Sequence, residues 1–376
     1  MRVKSAATLV TFPQGEEAKI YNYLSKDVIT CDAAAVNWLL AIQDWSTIDE
    51  IAARNIEFDA ESIAGEIEQL VACGIFLEES SAAARREAEY TATWEFGPTA
   101  GIFHFGIMDN EFENVEFGVA RQKERAKTNP SPKLIWRDDQ PDVKLPLTSN
   151  EGVFSVMAQR RSRRNVTEQA ISLRELGDCL YAGLGITGFI QTETAVLPLK
   201  MTPSGGARNP YEAYVWAQNV DGLARGIYHY SAADHALTRV NEVPNFPAQD
   251  LVQAQDWADP MPAIILLVAV LERTAWKYIE PNAYRVVLIE GGHIAQNMML
   301  AATQNELTCC PTAALAHGRI ADLLKLTALT HTPVYALTIG HPGPCLDTVY
   351  SVAEGVALSG ISNIERGGNI SRNNLR

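Results

Sequence analysis

The sequence predicts an α+β protein built around a sheet, with a small winged-helix-like module ahead of it. The chain has 376 residues and is 47% apolar, which is enough for two domains with sizeable cores. Helical and strand patterns alternate between residues 151 and 342, while the first 80 residues carry short patterns of their own. We therefore predict a winged-helix-like domain at 1–80, a connecting region at 81–150, the main domain at 151–345 and a C-terminal extension at 346–376.

Residues 1–80 carry the local signals of a hairpin, three helices and a return strand. Lys19 to Asp32 alternates apolar and polar residues on either side of a Ser25-Lys26-Asp27 turn, as a hairpin does. Thr47 and Glu50 have the spacing of a capping box for the second helix. The other signals are the helix caps Asp32 and Asp59, the helix stop Gly74 and the strand Ile75–Glu78. This order of elements is the winged-helix pattern.

The charge of the chain argues against a nucleic-acid function for this module. The third predicted helix carries Glu61, Glu66 and Glu68 and no basic residue, and the whole chain has a net charge of −14. Such a surface disfavours binding to nucleic acid or to anionic membrane. An exposed strand edge beside a helix can instead take an extended peptide. The module resembles the PqqD-like peptide-recognition element of enzymes that mature ribosomal peptides, which implies a precursor leader peptide as its partner.

The connecting region and the tail give weaker signals. We expect a charged linker or helix at Ser80–Arg86, a packed aromatic-rich segment at Trp94–Phe117 and a loop at Lys123–Asp142. The tail from Gly360 is predicted to be disordered or to form an arm over a partner subunit.

Compartment signals favour the cytoplasm. The longest uncharged apolar stretch, Met261–Leu271, is much shorter than the roughly 20 residues of a membrane span, and no secretory signal is recognisable. None of the cysteines forms a CxxC pair and no histidines have zinc-site spacing, so we expect reduced thiols and no metal site. The cysteines are Cys31, Cys73, Cys179, Cys309, Cys310 and Cys345.

The main domain is predicted to contain three helices and five strands around the motifs that follow. The helices are Val153–Gln159, Arg174–Tyr181 and Asn282–Glu306, and the strands are Glu212–Gln218, Gly226–Tyr230, Ala236–Val240, Ala263–Leu271 and Pro333–Ile339.

Two motifs suit an anionic, flat ligand. The run Arg160–Arg164 contains guanidiniums that can fork onto a phosphate, although it can equally be a solvated basic patch. Pro203–Pro210 contains paired glycines, which let a backbone approach a planar ligand and expose N–H groups. An ordinary glycine-rich turn is the alternative for the second motif, which is neither a P-loop nor GxGxxG.

Three further motifs surround the long apolar helix. Glu290–Asn297 holds two mid-helix glycines that indicate close packing of a backbone or a planar cofactor, and Gln296 and Asn297 can bond a ligand or cap internal polar groups. Glu272–Tyr278 ends a buried strand with Lys277 and Tyr278, two groups able to move protons, although such pairs are common. Cys309–Leu315 is expected to be a loop over a ring system or a plain helix–strand connection.

The order and spacing of these motifs from Gly152 to Pro342 resemble the SagB-type or McbC-like dehydrogenases of the nitroreductase superfamily. Over the whole chain, the arrangement resembles the peptide-maturation dehydrogenases. The resemblance implies a nitroreductase-like domain with a mostly antiparallel sheet and flanking helices. It also implies FMN at a homodimer interface, and possible work beside a cyclodehydratase.

The resemblance also implies roles for individual residues. Lys277 and Tyr278 would be the catalytic pair, one of them removing a proton while a hydride leaves for the flavin. The expected cofactor contacts are Arg160, Arg161, Ser162, Arg164, Pro203, Ser204, Gly205, Gln296, Asn297, Thr312 and Ala313. The segment Pro311–Ala314 departs from the glycine-rich loop that the family has at this place.

Three functions are consistent with these patterns. The first is a peptide-directed FMN dehydrogenase that oxidises an azoline ring or a Cα–Cβ bond, with oxygen as the expected final acceptor. The second is an NAD(P)H-dependent nitro or quinone reductase of small molecules, which leaves the N-terminal module unexplained. The third is a non-enzymatic scaffold, which the altered segment Pro311–Ala314 favours. Flavin content and peptide binding discriminate among them.

Overall fold

The structure is a computed structural model of the chain. It describes residues 1–32, 36, 39, 41–54, 60–110, 115–129, 143, 151–193, 195–327 and 329–344. Predictions for Asp59, Cys345 and the C-terminal extension at 346–376 lie outside these residues, as does most of the first predicted helix.

A six-stranded sheet organises the main domain. Its order is β13-β12-β10-β14-β16-β15, and every neighbouring pair is antiparallel. The strands are β10 (Tyr211–Ala217), β12 (Gly226–Ser231), β13 (Ala236–Asn241), β14 (Ala263–Val270), β15 (Thr308–Thr312) and β16 (His331–Gly340). Every residue of β14 is buried, because the strand is central and covered on both faces. The uncharged apolar run that predicted β14 is therefore explained by the central position of this strand in the sheet.

Helices pack on both faces of this sheet. On one face lie α7 (Leu173–Leu184), α8 (Leu271–Ala275) and the 24-residue α9 (Pro281–Gln304), with α6 (Val153–Gln159) against α9, and on the other face lies α10 (His317–Leu324). Ser172 and Glu175 close a capping box that begins α7. The short strands β7 (Ile171–Ser172) and β11 (Val220–Asp221) pair in parallel. The predicted strands and helices of this domain are confirmed within a few residues.

Three segments differ from the prediction. A hairpin of β8 (Ile186–Gln191) and β9 (Val196–Lys200) was not predicted. Residues 308–312 form the edge strand β15, where a loop or plain connection was expected. Helix α5 (Val115–Thr128) includes the first part of the predicted Lys123–Asp142 loop, because its Lys, Arg, Glu and Ala residues are strong helix formers. Residues 130–142 lie outside the described part.

The N-terminal residues form two small sheets. One has the order β5-β1-β6, from β1 (Arg2–Ser5), β5 (Ser46–Thr47) and β6 (Phe76–Glu78). The other is β2 (Leu9–Gln14), β3 (Glu17–Asn22) and β4 (Val28–Asp32). The predicted hairpin is therefore confirmed as β3–β4, with β2 added, and β6 pairs with β1 instead of the hairpin.

The helices of this part pack on a common core. They are α1 (Ile48–Arg54) and α2 (Ala60–Ala72), which cover the sheets with Ile51, Ile63 and Ile67. The predicted capping box is present, since Thr47 N donates to Glu50 Oε2 at 2.8 Å and Glu50 N to Thr47 Oγ1 at 3.2 Å. These hydrogen bonds lower the pKa of Glu50.

Two helices connect this part to the main domain. They are α3 (Ala82–Thr93), capped by Ser81, and α4 (Gly97–Ile107). Trp94 packs near Tyr90, Phe105 and Tyr284, so the aromatic segment is packed as predicted at Trp94, Phe96 and Phe105, whereas Phe103 is 51% exposed. Phe117 is 73% exposed, which corrects the prediction at the end of that segment. Within the described residues, we find no helix with the length and apolar character needed to cross a bilayer.

Candidate active site

Helix α9 provides the platform for most of the predicted site residues. The two glycines in its middle have different surroundings. A Cβ on Gly291 would lie 2.6 Å from the hydroxyl of Tyr211, which donates to Val287 O, so the first glycine admits a buried ring. Gly292 has nothing within 4 Å of its Cβ position and is exposed. The predicted close approach therefore applies to Gly291, and its partner is a side chain.

The glycine-rich loop meets the predicted catalytic pair. Gly206 has a φ of +61°, a conformation that favours glycine. A Cβ on Gly206 would lie 2.6 Å from the hydroxyl of Tyr278 and 2.8 Å from Nζ of Lys277. The Lys277 ammonium also lies 5.2 Å from the centre of the Tyr278 ring. Two segments that are about 70 residues apart in sequence thus form one surface.

Glu290 anchors the same loop from α9. Its Oε2 accepts hydrogen bonds from Ser204 Oγ at 2.9 Å and from Gly205 N at 3.4 Å. Burial raises the pKa of Glu290 to about 6, although these hydrogen bonds and the charge of Lys200 oppose the rise. Burial in turn lowers the pKa of Lys200. The loop therefore rests on a carboxyl that titrates near neutral pH.

A second charged cluster links the loop to the segment after β14. Arg273 Nη2 pairs with Glu212 Oε1 at 2.5 Å, and its Nη1 donates to Asn209 O at 3.1 Å. Arg208 Nε donates to Arg273 O at 2.8 Å, and its guanidinium lies 4.6 Å from the Trp276 ring. Burial raises the pKa of Glu212, but its bonds with His229 and Arg273 prevail and lower it to about 2. This ion pair holds residues 208–209 against residues 273–276.

Asn297, one of the two amides predicted to contact a cofactor, faces the residues that follow β9. Asn297 Nδ2 donates to Thr202 Oγ1 at 3.0 Å and to Met201 O at 3.4 Å. Asn297 therefore caps internal polar groups, the second of the two roles that its position allowed. Gln296, the preceding residue of α9, is half-buried, and Pro203 directly follows the residues that Asn297 holds.

The arginine run, residues 160–164, lies near β15 and apart from the glycine-rich loop and the Lys277–Tyr278 pair. Burial raises the pKa values of Cys309 and Cys310. The positive charge of Arg160 acts against this rise at Cys309, and that of Arg164 acts against it at Cys310. Arg164 lies 5.6 Å from the Trp257 ring. Arg161 is exposed and donates to the carbonyls of Ala158 and Arg160, while Arg160 reaches Ser162 Oγ at 3.4 Å. Among the described residues, no carboxylate lies within 4 Å of these guanidiniums.

Thr312 and Ala313, both predicted to contact the cofactor, differ in exposure. Thr312 ends β15, is buried, and accepts hydrogen bonds from Gln255 Nε2 at 3.0 Å and Ala314 N at 3.2 Å. The hydroxyl of Thr312 is therefore hydrogen-bonded inside the fold, because pairing of β15 with β16 points this side chain inward. Ala313 follows the strand and is exposed.

The predicted site residues thus form two groups within one subunit. Residues 203–205, 277–278 and 296–297 lie along α9, whereas 160–164 and 312–313 lie around β15. Helix α6, which precedes the arginine run, packs on α9. The sequence did not reveal the roles of Glu290, Lys200 and Arg273. For Glu290, the sequence did contain one signal, which is an acidic residue on an otherwise apolar face of a predicted helix.

Comparison with known proteins agrees with this fold. The profile of the nitroreductase family matches residues 157–341. The Methanocaldococcus jannaschii protein MJ1384, which is named as a nitroreductase, is 31% identical over 193 residues, 50% of this chain and 91% of its own. The chain belongs to the nitroreductase family. The family match begins at residue 157, so helices α3 and α4 lie outside it.

Two further similarities concern a trifolitoxin-processing protein and a microcin synthetase. The trifolitoxin-processing protein TfxB of Rhizobium leguminosarum bv. trifolii is 29% identical over 146 residues, which are 37% of this chain and 39% of TfxB. A chain of the E. coli microcin synthetase McbBCD complex is 18% identical and superposes with a TM-score of 0.46, over 68% of this chain and 97% of its own.

Proposed function

We propose that this nitroreductase-family protein is an FMN-dependent dehydrogenase that acts on a ribosomally made precursor peptide. The reaction would be the two-electron oxidation of an azoline to an azole, or of a Cα–Cβ bond. The observation that carries the proposal is the contact of Lys277 and Tyr278 with the Gly206 turn, since it joins a proton-moving pair to a loop suited to a planar ligand. Similarity to TfxB, a toxin-processing protein, favours a peptide substrate.

The residues present fit FMN. Arg160, Arg161 and Arg164 stand in a strongly acidic chain without a carboxylate partner among the described residues, and Arg161 is exposed. Uncompensated guanidiniums at one place are suited to a phosphate monoester. FMN, when bound, would supply the two-electron acceptor of the reaction. Because the arginines and the Ser204 loop are separate in one subunit, the proposal requires a homodimer that brings the two groups together.

The chain's own groups would handle the proton. Lys277 or Tyr278 would take it from the substrate carbon, and the Gly206 turn leaves both side chains room because it has no Cβ. Glu290 and Arg273 act as positioning residues. The first holds Ser204 and Gly205, and the second holds Asn209. Their hydrogen bonds keep the loop in place while substrate binds.

The N-terminal residues would bind the leader of the precursor peptide. Strand β4 is an edge of its sheet, and its residue Val28 is 56% exposed. Such an edge beside helices can add a peptide strand, as a winged-helix or PqqD-like element would. A cytoplasmic location and a cyclodehydratase partner are consistent with this activity.

The Lys277→Ala substitution tests the proposal. We expect the purified protein to be yellow from bound FMN, and the variant to keep that colour while peptide oxidation falls at least about a hundredfold, the usual contribution of a general base. Mass spectrometry would follow the loss of two hydrogens from the peptide.

Two further variants sharpen this test. Tyr278→Phe reports whether the hydroxyl shares the proton transfer, and Lys123→Ala, at an exposed position of α5, serves as the control that should behave as wild type. Normal turnover by Lys277→Ala would assign the base elsewhere, and a colourless protein that takes up no FMN would end the proposal.

A second candidate is an NAD(P)H-dependent nitro or quinone reductase. The match to MJ1384 favours this reductase. That protein is named as a nitroreductase, and half of this chain (50%) covers 91% of its length. Rapid bleaching of the flavin by NADPH, together with no affinity for peptides, would favour this reductase over the dehydrogenase.

A further inference from the structure

The end of the glycine-rich loop holds Arg208 in an unusual backbone turn. Gly206, Ala207 and Asn209 have φ values of +61°, +54° and +48°, in a region that residues other than glycine adopt rarely. Arg208 itself has an ordinary φ of −75°. Backbone conformations of the rare kind cost free energy and cluster at ligand-binding and active sites. The turn at 206–209 therefore makes Arg208 a candidate for binding a ligand.

Hydrogen bonds to β9 and to α8 hold this turn in place. Asn209 Nδ2 donates to Pro198 O of β9 at 2.9 Å, and Arg273 Nη1 of α8 donates to Asn209 O at 3.1 Å. Within the loop, Asn209 N donates to Ser204 Oγ at 2.8 Å. The backbone that carries Arg208 is therefore fixed before a ligand arrives, which lowers the entropy lost on binding.

The guanidinium of Arg208 is oriented by the protein but keeps unused donors. Its Nε donates to Arg273 O at 2.8 Å, and its central carbon lies 4.6 Å from the centre of the Trp276 ring. Arg208 is half-buried, and its two Nη atoms have no hydrogen-bond partner among the described residues and are not fully buried. The N–H groups of both Nη atoms therefore remain accessible to a ligand.

The positive charge at this place is not compensated by the described part of the chain. Arg273 is paired, since Glu212 Oε1 lies 2.5 Å from its Nη2. In contrast, no described carboxylate lies within 4 Å of the Arg208 guanidinium or of Lys277 Nζ. Lys277 Nζ lies 2.8 Å from the Cβ position of Gly206, two residues before Arg208. In a chain of net charge −14, two such cations on one loop surface indicate an anionic ligand.

The geometry of the donors selects the kind of anion. The Nη atoms of a guanidinium form a planar fork that matches the two oxygens of a carboxylate or a phosphate. The phosphate of FMN is already assigned to the arginine run at 160–164. A peptide substrate, in contrast, carries carboxylates on its acidic side chains and at its C-terminus. A carboxylate therefore suits Arg208 best.

We propose that Arg208 binds a carboxylate of the precursor peptide close to the position that Lys277 and Tyr278 act on. Arg208 is thus a specificity-determining residue, and Trp276 is a positioning residue that holds its guanidinium. Contact of the rest of the Trp276 ring with a second subunit, as in the proposed homodimer, leaves this stacking intact. The inference rests on the proposed function for the peptide nature of the ligand, but its recognition chemistry can be measured without turnover.

The experiment titrates the full-length protein, as purified, with two pairs of small peptides while NMR follows the Nε–H signals of labelled arginine. The first pair is acetyl-diglycine with a C-terminal carboxylate and the same peptide as its amide. The second pair is acetyl-aspartyl-glycinamide and acetyl-asparaginyl-glycinamide. We expect the carboxylate of at least one pair to bind about tenfold more tightly than its neutral partner, the value of one charge-assisted hydrogen bond, and to shift the Arg208 signal. The pair that shows the preference identifies the source of the carboxylate.

Variants of Arg208 assign the preference to this residue. Arg208→Met has a similar length without the charge and should abolish the preference, while Arg208→Lys keeps the charge without the fork and should restore only part of it. Arg225→Met, at an exposed position before β12, is the matched control and should bind as wild type does.

Three outcomes overturn the inference. They are equal binding of carboxylate and amide within both pairs, which wild type alone reveals, an unchanged preference in Arg208→Met, and loss of bound FMN from Arg208→Met. The last would show that the guanidinium holds the phosphate of the cofactor.

Turnover separates this inference from the proposed function. A protein that takes up no FMN but prefers carboxylates through Arg208 refutes the dehydrogenase and supports the carboxylate site. In an active enzyme, Arg208→Met should raise KM for the peptide about tenfold with kcat nearly unchanged, because the contact binds substrate and transition state alike. A yellow Arg208→Met protein with the kcat/KM of wild type refutes the carboxylate site and leaves the dehydrogenase standing.

Discussion

At the scale of single residues, buried titratable groups make the stability of this protein depend on pH. Glu290 holds the glycine-rich loop while its pKa is raised to about 6 from 4.5. Between these values, the folded state binds the proton that the unfolded state has released. The contribution of Glu290 to stability is therefore fully present below pH 4.5 and declines as the pH rises through 6.

The Glu290→Gln substitution should remove this decline. The amide keeps an acceptor for Ser204 and Gly205 but does not titrate. Relative to wild type, we expect the variant to gain up to about 2 kcal/mol in free energy of unfolding between pH 4.5 and pH 7.5. Urea unfolding of variant and wild type at the two pH values measures this difference, because titrating groups common to both proteins cancel in the comparison.

Glu272→Gln, at an exposed position, is the matched control and should show no comparable change. A difference between Glu290→Gln and wild type that stays constant with pH would show that Glu290 titrates as an ordinary carboxyl.

At the scale of elements, the adjacent glycines of α9 offer a direct comparison. Both are mid-helix residues, where alanine is favoured over glycine by about 1 kcal/mol. Gly292→Ala meets open space and should stabilise the protein by about that amount. Gly291→Ala places a methyl 2.6 Å from the Tyr211 hydroxyl, within a packed core, and should destabilise by about 1–3 kcal/mol.

Chemical denaturation of the two variants measures both effects. The expectation is a pair of opposite signs, because helix propensity is common to the two sites and only the packing differs. Two shifts of the same sign would mean that the ring of Tyr211 can move aside without cost.

At the scale of the whole molecule, three parts of the main domain expose large apolar side chains. They are α6, the β8–β9 hairpin and the segment before α9, and the side chains include Phe154, Met157, Phe189, Ile190, Val196, Trp276 and Ile279. Exposed apolar surface beyond what single scattered residues provide is typical of protein–protein interfaces. The proposed homodimer would bury them and would place the arginine run of one subunit near the Ser204 loop of the other.

The Phe189→Asp substitution tests this assembly. Phe189 is 67% exposed in the isolated chain, and a charge buried there would disfavour association. We expect wild type to have the mass of a dimer in light scattering at micromolar concentration, and the variant to dissociate and lose bound FMN. Phe117→Asp changes an equally exposed ring on α5 and should remain dimeric. A monomeric wild type would contradict the homodimer.

The sequence by itself determined the elements whose signals are local or periodic. The buried run of β14, the length of α9, the β3–β4 hairpin and the Thr47–Glu50 capping box were predictable, because burial and capping are encoded in adjacent or regularly spaced residues. It also selected the loop at 203–210 and the pair Lys277–Tyr278, which the fold brings into contact.

Only the tertiary structure decided what those residues touch. The edge strand β15 replaced an expected loop because its pairing with β16 is a long-range event. Glu290 and Arg273 acquired their roles through partners 86 and 64 residues away, Ser204 and Asn209. Hydrogen bonding and desolvation depend on neighbours in space, and a linear pattern does not specify those neighbours.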